Sequence, residues 1–191
     1  MTKPLKMLTV SVLTISAGLF VLSIGLRVSG IYLNTTASLP VGFYKTVDEP
    51  IAKGAYVAFC PPQMDGFDRA MDRGVLFSGD CPGGYGQLLK QVYAVENDHV
   101  RIDRAGIRIN GQLLPNTAQV ATNPAVIQLP QYTLDAVLNE SEYLLLADLH
   151  PHSLDARYFG PSHQSQILHV VRAQFTWNSH NKESHHEKSR Q

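Results

Sequence analysis

The chain has 191 residues, of which 44% are apolar and 17% charged, and its formal net charge is 0. This length and apolar content predict one domain with a real core plus short appendages. A neutral chain with no basic patch has no field that would attract nucleic acid, so we do not expect nucleic-acid binding.

Residues 7–26 form a run of twenty residues without a charge. A helix of that length crosses about 30 Å of hydrocarbon, so the run predicts a transmembrane anchor. Lys3 and Lys6 precede it, which predicts a cytoplasmic segment at 1–6 and export of everything that follows. The alternative is a cleaved signal peptide, although the run exceeds the usual length of about 7–15 residues. We therefore expect a single-span inner-membrane protein.

The exported part, residues 27–177, is predicted to be mainly β from about residue 54 onward, because short alternating apolar runs are separated there by turn residues. The predicted strands are 54–60, 87–95, a hairpin of 100–103 with 107–109, then 142–147 and 166–177. Asn110-Gly111 predicts a second tight turn, directly after this hairpin. A loop or one short helix is predicted at 63–73, and an irregular excursion at 115–141. Residues 178–191 are polar and predict a mobile tail.

Lys90 and Ser38 are the first candidates for chemistry. Alternation along the strand 87–95 places Lys90 on the same face as Val92 and Ala94, and an amine on an apolar face loses hydration and has a lowered pKa. Such a lysine is a candidate general base, and Ser38 would then be a nucleophile. The alternatives are a lysine on an edge strand that reaches water and a serine that only opens a turn.

The two cysteines, Cys60 and Cys81, are too far apart for a Cys-x-x-Cys motif. They predict either a disulfide, if the compartment is oxidising, or two free buried thiols. His150 and His152, together with Asp148 or Asp155, leave a metal site open as an alternative. With Ser38, the same region could also supply a Ser-His-Asp triad.

Three short motifs resemble the boxes of the membrane-bound type I signal peptidase family. Thr-Ala-Ser-Leu-Pro at 36–40 resembles the serine box, Leu-Leu-Lys-Gln-Val at 88–92 resembles the lysine box, and Ser-Leu-Asp-Ala-Arg-Tyr at 153–158 resembles the later Ser-x-Asp-Ser-Arg box. Further similarity, at 34–44, 54–62, 81–86 and 157–161, is to the TraF-type conjugative-transfer peptidases. Two departures are Gln91 in place of an arginine and Ala-Asp-Leu at 147–149 in place of Gly-Asp-Asn.

The resemblance implies a signal-peptidase-like antiparallel β domain with a Ser/Lys dyad and no metal or cofactor. In that comparison Ser38 is the nucleophile and Lys90 the general base. Asp155 matches a residue that is associated with activity. The remaining matched residues have supporting roles. Thr36 matches an oxyanion donor, Ser153 matches a serine that orients the lysine, and Arg157 matches the ion-pair partner of the aspartate.

The function implied is a membrane-anchored serine endopeptidase that processes a membrane-inserted pilin precursor during plasmid conjugative transfer. The resemblance also suggests that the product could be cyclised and that other conjugation proteins are partners. Two alternatives remain: a general type I signal peptidase that removes leader peptides, and a non-catalytic membrane-anchored scaffold in which Ser38 and Lys90 are only structural.

Overall fold

The structure, a computed structural model, describes residues 3–36, 38–121, 129–147 and 152–177. Several sequence predictions therefore fall outside the described residues. They are the polar tail at 178–191, the middle of the predicted irregular excursion, and the two residues Asp148 and His150 of the alternative metal site.

The N-terminal helix α1, Lys3–Val28, covers the whole range predicted as an anchor. Large apolar side chains along it are exposed, among them Met7, Leu13 and Phe20. Within the part of the chain that the structure describes, no helix meets the length and apolarity expected of a membrane span. The predicted transmembrane anchor is therefore not supported by the structure.

The rest of the described chain is mainly β, with two short helices. The strands are β1 (Ile31–Asn34), β2 (Gly42–Val47), β3 (Tyr56–Phe59), β4 (Leu88–Ala94), β5 (His99–Asp103), β6 (Gly106–Ile109), β7 (Gln112–Leu113), β8 (Leu134–Val137), β9 (Glu142–Leu146), β10 (Ser162–His163) and β11 (Ile167–Thr176). The helices are α2 (Asp65–Asp72) and α3 (Ala156–Phe159).

The larger sheet has the strand order β1-β2-β11-β3-β4-β9-β10, and every pairing in it is antiparallel. Strand β4 lies inside this sheet, hydrogen-bonded to β3 on one side and β9 on the other. Strand β1, which directly follows the N-terminal helix, forms one edge. Asn34 pairs with Gly42, so the segment between these two residues is the loop of a β1–β2 hairpin.

The smaller sheet has the order β7-β6-β5-β8. The predicted hairpin at 100–109 is its β5–β6 pair, with Asp103 opposite Gly106. The second predicted turn joins β6 to β7, where Asn110 and Gly111 both have positive φ, at 50° and 84°. That conformation at both central positions is the one an Asn-Gly hairpin turn requires.

One buried cluster joins the two sheets through apolar side chains of β4, β5, β6 and β9. Its fully or nearly fully buried members are Ala94, Val100, Ile102, Ile107, Leu138, Leu144, Leu146 and Ala156. A second cluster forms under α2, where Phe67 and Ala70 pack with Tyr85 and Tyr158. The segment 61–86 is therefore packed onto the domain rather than extended from it.

Most predicted elements are confirmed, with ends within two residues. Of the two alternatives at 63–73, a loop or one short helix, the structure has the helix. Two predictions were wrong. The β structure begins at Ile31 rather than near residue 54, because β1 pairs with β2 and β2 in turn pairs with β11. The region 115–141 is not wholly irregular, since β8 pairs with β5 there.

Cys60 and Cys81 form a disulfide with their Cα atoms 5.4 Å apart, which decides between the two alternatives. The bond connects the end of β3 to the segment that leads into β4, and α2 lies in the chain between them. It therefore fixes the segment 61–86 against the larger sheet.

We expect the double substitution Cys60→Ser with Cys81→Ser to lower the free energy of unfolding by about 3 kcal/mol, because the unfolded chain loses a cross-link that closes a loop of 21 residues in sequence. Urea unfolding of the purified chain measures this change. A reducing agent should destabilise the wild type by the same amount and leave the double variant unaffected. A wild-type transition that does not respond to the reducing agent would contradict the prediction.

Candidate active site

A cleft of about 440 Å³ brings together residues from three distant parts of the sequence. Its polar wall contains five side chains that the sequence singled out, and these are Thr36, Ser38, Lys90, His152 and Ser153. Its apolar wall includes Leu33 of β1 on one side and Val75 and Phe77 of the disulfide-linked segment on the other. The cleft is therefore an elongated site between an edge strand and a cross-linked loop.

Ser38 lies in the loop of the β1–β2 hairpin, half-buried, and is followed by the buried Leu39. Its hydroxyl accepts a hydrogen bond from the Ser153 hydroxyl at 2.9 Å, across 115 positions of sequence. The hairpin closes tightly against β11, because a Cβ at Gly42 would collide with the carbonyl oxygen of Phe175. Only glycine fits there, so the base of this loop is fixed by the approach of two backbones.

Lys90 lies on β4 with only 3% of its surface exposed. The predicted alternation is observed, since Lys90, Val92 and Ala94 are all buried on one face. Because β4 has a hydrogen-bonded neighbour on each side, the alternative of an edge-strand lysine that reaches water is excluded. Burial lowers the pKa of Lys90 from 10.5 to about 8, with Asp155 opposing this change and Arg157 adding to it.

Among the described residues, no hydrogen bond joins Lys90 to Ser38, although both line the cleft. A long distance between base and nucleophile is common in the absence of substrate and does not exclude the pair. The neighbour that does contact the Ser38 hydroxyl is Ser153, and His152 lines the same cleft beside it.

The proposed metal ligands Asp148 and His150 lie outside the described residues, so the structure does not test the metal-site alternative.

Asp155 and Arg157 form an ion pair in which both side chains are 0% exposed. Two parallel hydrogen bonds connect them: Arg157 Nε to Asp155 Oδ1 at 2.8 Å and Nη2 to Oδ2 at 2.7 Å. The carboxylate also accepts from the backbone N–H of Ala147 at the end of β9, at 3.0 Å. The pair therefore ties the start of α3 to the larger sheet, and Asp155 is not among the residues that line the cleft.

The segment that contains this ion pair ends at Gly160, whose φ is 77°. A Cβ at this position would collide with the ring of Tyr132, so the turn after α3 needs glycine for both its conformation and its space. The segment that follows Ser153 is thus held by both the ion pair and the packing of α3.

Asn34 was not among the predicted site residues, yet its buried amide makes several hydrogen bonds within the loop that contains Ser38. It donates to the carbonyl oxygens of Thr36 and Leu39, both at 3.0 Å, and of Pro40 at 3.2 Å. It accepts from the Thr36 hydroxyl at 2.9 Å. An asparagine at the end of a strand before a turn is a recognised turn signal, and that pattern could have identified it.

The family model for signal peptidase, peptidase S26, matches residues 5–177 of this chain. This chain belongs to the S26 signal peptidase family. Two plasmid transfer proteins TraF from Escherichia coli are 42% and 46% identical to it, over 93% and 78% of this chain and 100% and 85% of their own. A probable conjugal transfer protein TraF from Sinorhizobium fredii is 31% identical over 78% of each chain.

Among solved structures, a signal peptidase I from Enterococcus faecalis is similar to this S26 chain, with 17% identity and a TM-score of 0.37. The similarity covers 66% of this chain and all of the other. The three motifs that resemble the family's boxes all lie inside the matched residues 5–177. In the structure they meet at one cleft, through Ser38, Lys90 and Ser153.

Lys90→Met should stabilise the folded chain, because the substitution removes a cation that burial disfavours. The pKa shift from 10.5 to about 8 corresponds to at most about 3 kcal/mol. Below pH 8 Lys90 is charged in both the folded and the unfolded chain, so this cost is present in full. Between pH 8 and 10.5 Lys90 is mostly neutral in the folded chain and still mostly charged in the unfolded chain, so the destabilisation caused by its burial falls as the pH rises. Above pH 10.5 Lys90 is neutral in both states and this destabilisation vanishes.

The measurement is the free energy of unfolding of both proteins at pH 7 and at pH 10. The matched control is Lys45→Met, which replaces an exposed lysine on β2 and should change stability by less than about 0.5 kcal/mol at either pH. If Lys90→Met destabilises the chain at pH 7 as much as at pH 10, the amine is not buried as the structure indicates.

Asp155→Asn should lower the free energy of unfolding by about 3–5 kcal/mol, because it leaves the buried Arg157 cation without a counter-charge. The double substitution Asp155→Leu with Arg157→Met removes both charges and should recover most of the loss. Chemical unfolding of the single and double variants measures both values. A loss below about 1 kcal/mol for Asp155→Asn would show that the ion pair does not hold this segment.

Proposed function

We propose that this chain is a serine peptidase in which Ser38 is the nucleophile and Lys90 the general base, and that it processes a pilin precursor during plasmid conjugative transfer. The observation that carries the proposal is that Ser38 and Lys90, 52 positions apart in sequence, line one cleft in which the amine is buried. A lysine with a pKa of about 8 is neutral in a useful fraction of molecules near neutral pH.

The acylation step follows from the contacts of Ser38. Its oxygen accepts a hydrogen bond from Ser153, which leaves its own proton available for the neutral Lys90 amine. Transfer of that proton activates the oxygen to attack the scissile carbonyl. The resulting ammonium then gives the proton to the leaving amine, so one lysine acts first as base and then as acid.

The oxyanion that forms needs donors, and we propose the backbone N–H of Ser38 together with the Thr36 hydroxyl. In the structure the Thr36 hydroxyl donates to Asn34 at 2.9 Å, so it must rotate away from Asn34 to serve the oxyanion. The rotation replaces the hydrogen bond from Thr36 to the Asn34 amide oxygen with a hydrogen bond to the oxyanion. The second bond is the stronger, because its acceptor carries a full negative charge. Thr36 therefore contributes in the transition state and not in the resting enzyme.

The acyl-enzyme ester can be resolved by water or by an amine held in the cleft. If the amino terminus of the pilin fragment reaches the ester before water does, a new peptide bond forms and the product is cyclic. The names of the relatives, which are plasmid and conjugal transfer proteins, support a role in plasmid transfer over that of a general signal peptidase, and a pilin precursor is the substrate that we propose for that role.

We further propose that the peptidase domain, residues 27–177, lies in the periplasm next to the inner membrane. The disulfide between Cys60 and Cys81 supports an oxidising compartment, since such bonds do not persist in a reducing cytoplasm. The exposed apolar side chains of α1 are compatible with a membrane-bound N-terminus. Fractionation with alkaline carbonate extraction, combined with protease access from the periplasm, tests both statements.

Mass spectrometry of the pilin precursor co-expressed with each variant tests the peptidase function. We expect Ser38→Ala and Lys90→Ala to lower processing by about 1,000-fold or more, since each removes a reacting group. His152→Ala should still process the precursor, because His152 lines the cleft but has no role in the proposed steps. The product mass distinguishes a cyclic from a linear pilin by the mass of one water.

The alternatives give different results in the same experiment. If Lys90→Ala still processes the precursor and His152→Ala does not, the Ser/Lys dyad is wrong and a histidine-based triad replaces it. If Ser38→Ala supports both processing and transfer, the chain is a non-catalytic scaffold. If the variants also fail on unrelated leader peptides that the wild type cleaves, the enzyme is a general signal peptidase.

A further inference from the structure

The side chain of Asn34 lies inside the hairpin loop that carries Ser38, and only 6% of its surface is exposed. Its amide group makes five hydrogen bonds within residues 34–40. The nitrogen donates to three carbonyl oxygens, and the oxygen accepts from the backbone N–H and the hydroxyl of Thr36 at 3.2 and 2.9 Å. All of its partners belong to the loop around the nucleophile.

The orientation of this amide is fixed by the chemistry of its partners. A backbone carbonyl can only accept, so the group that faces the carbonyls of Thr36, Leu39 and Pro40 must be the NH₂. A backbone N–H can only donate, so the atom that faces Thr36 N must be the oxygen. The site therefore needs a donor and an acceptor on one short planar group, and asparagine is the residue that supplies both at this length.

The partners of Asn34 lie on both sides of Ser38 in the chain. Thr36 precedes the nucleophile by two residues, and Leu39 and Pro40 follow it. The carbonyl of Pro40 also accepts from the Tyr44 hydroxyl at 2.7 Å, which attaches the same end of the loop to β2. Movement of the Asn34 amide would therefore change the backbone on both sides of Ser38 at once.

We propose that Asn34 is a positioning residue of this peptidase: its amide holds the loop so that the Ser38 oxygen faces the cleft, and it keeps the Thr36 hydroxyl beside the position where the oxyanion forms. The inference rests on the proposed Ser/Lys function and adds a residue that does not itself touch the substrate. Displacement of a reacting group by about 1 Å can lower the rate by about 100-fold, so loss of this positioning contact should lower the rate of cleavage by a similar factor.

Two substitutions separate the parts of the proposal. Asn34→Asp keeps an acceptor for Thr36 but places a second oxygen against three carbonyls, whereas Asn34→Ala removes all five hydrogen bonds. The matched control is Asn139→Asp, which makes the same chemical change in a turn outside the cleft, where Asn139 accepts from the backbone N–H of Ser141 at 3.0 Å. The control should behave as wild type in every assay.

The first readout is the kinetics of cleavage of a peptide that spans the pilin processing site. We expect both Asn34 variants to lower kcat by about 100-fold and to change KM by less than about threefold, because the Asn34 amide, although it lines the cleft, is bonded to the loop and not to substrate. For Asn34→Ala, which adds no charge to the cleft that Lys90 lines, the pH at which activity is half-maximal should stay as in wild type. A full kcat in folded Asn34 variants would overturn the proposal.

The second readout does not need activity. Hydrogen exchange followed by mass spectrometry should show faster exchange in peptides covering 35–41 for both Asn34 variants, with the β4 and β9 peptides unchanged. If the loop exchanges as in wild type, Asn34 does not hold it and the proposal fails, whatever the enzyme cleaves. If the loop is loosened but the wild type and Ser38→Ala are equally inactive on the pilin peptide, the positioning contact stands and the proposed peptidase function fails instead.

Discussion

The site depends on the removal of one amine from water. Lys90 lies opposite Val57 on an interior strand of the larger sheet, and only 3% of its surface is exposed to solvent. A charged amine in that position loses hydration that no hydrogen bond among the described residues replaces, and the neutral form is favoured accordingly. The low pKa of Lys90 is therefore a consequence of its burial in the sheet, and the same burial of a cation lowers the stability of the fold.

The buried ion pair of Asp155 and Arg157 lies beside Lys90 but leaves the pKa of the amine low. A lone carboxylate near the amine would stabilise its charged form and restore a high pKa. Asp155 does oppose the effect of burial, but both of its oxygens are bound by Arg157, whose charge acts in the opposite direction. Because the pair is close to neutral as a unit, it can fasten the Ser153 segment to β9 without providing a strong counter-charge for Lys90. Its structural contacts and its electrostatic effect thus support the same site.

The sequence predicted those parts of the site that depend on local patterns. The alternation around Lys90 gave its buried face correctly, and the Asn-Gly signal at 110 gave the turn between β6 and β7, because both rules need only neighbouring residues. The strands on either side of Ser38 were missed. β1 pairs with β2, and β2 is joined to the rest of the sheet by β11, which lies more than 120 positions later.

The role of Asn34 could not be derived from the sequence for a related reason. Its motif is visible, but the value of its amide depends on how residues 36–40 fold back over it. The contact of Ser38 with Ser153, across 115 positions, is likewise a product of tertiary structure. Local rules therefore predict which residues have suitable chemistry, while the distances among them depend on the fold.

The three groups that meet at the cleft are each held in a different way. Sheet register fixes Lys90, a buried ion pair fixes the segment of Ser153, and a single amide fixes the loop of Ser38. Catalytic groups need to be held to well under 1 Å, and apolar packing alone is less directional than hydrogen bonds. Polar groups buried beneath a site must satisfy every donor and acceptor in one arrangement, so they specify a single geometry. That requirement fits the burial of Asn34, Lys90 and Ser153, which line the cleft, and of the Asp155–Arg157 pair that follows Ser153 in the chain.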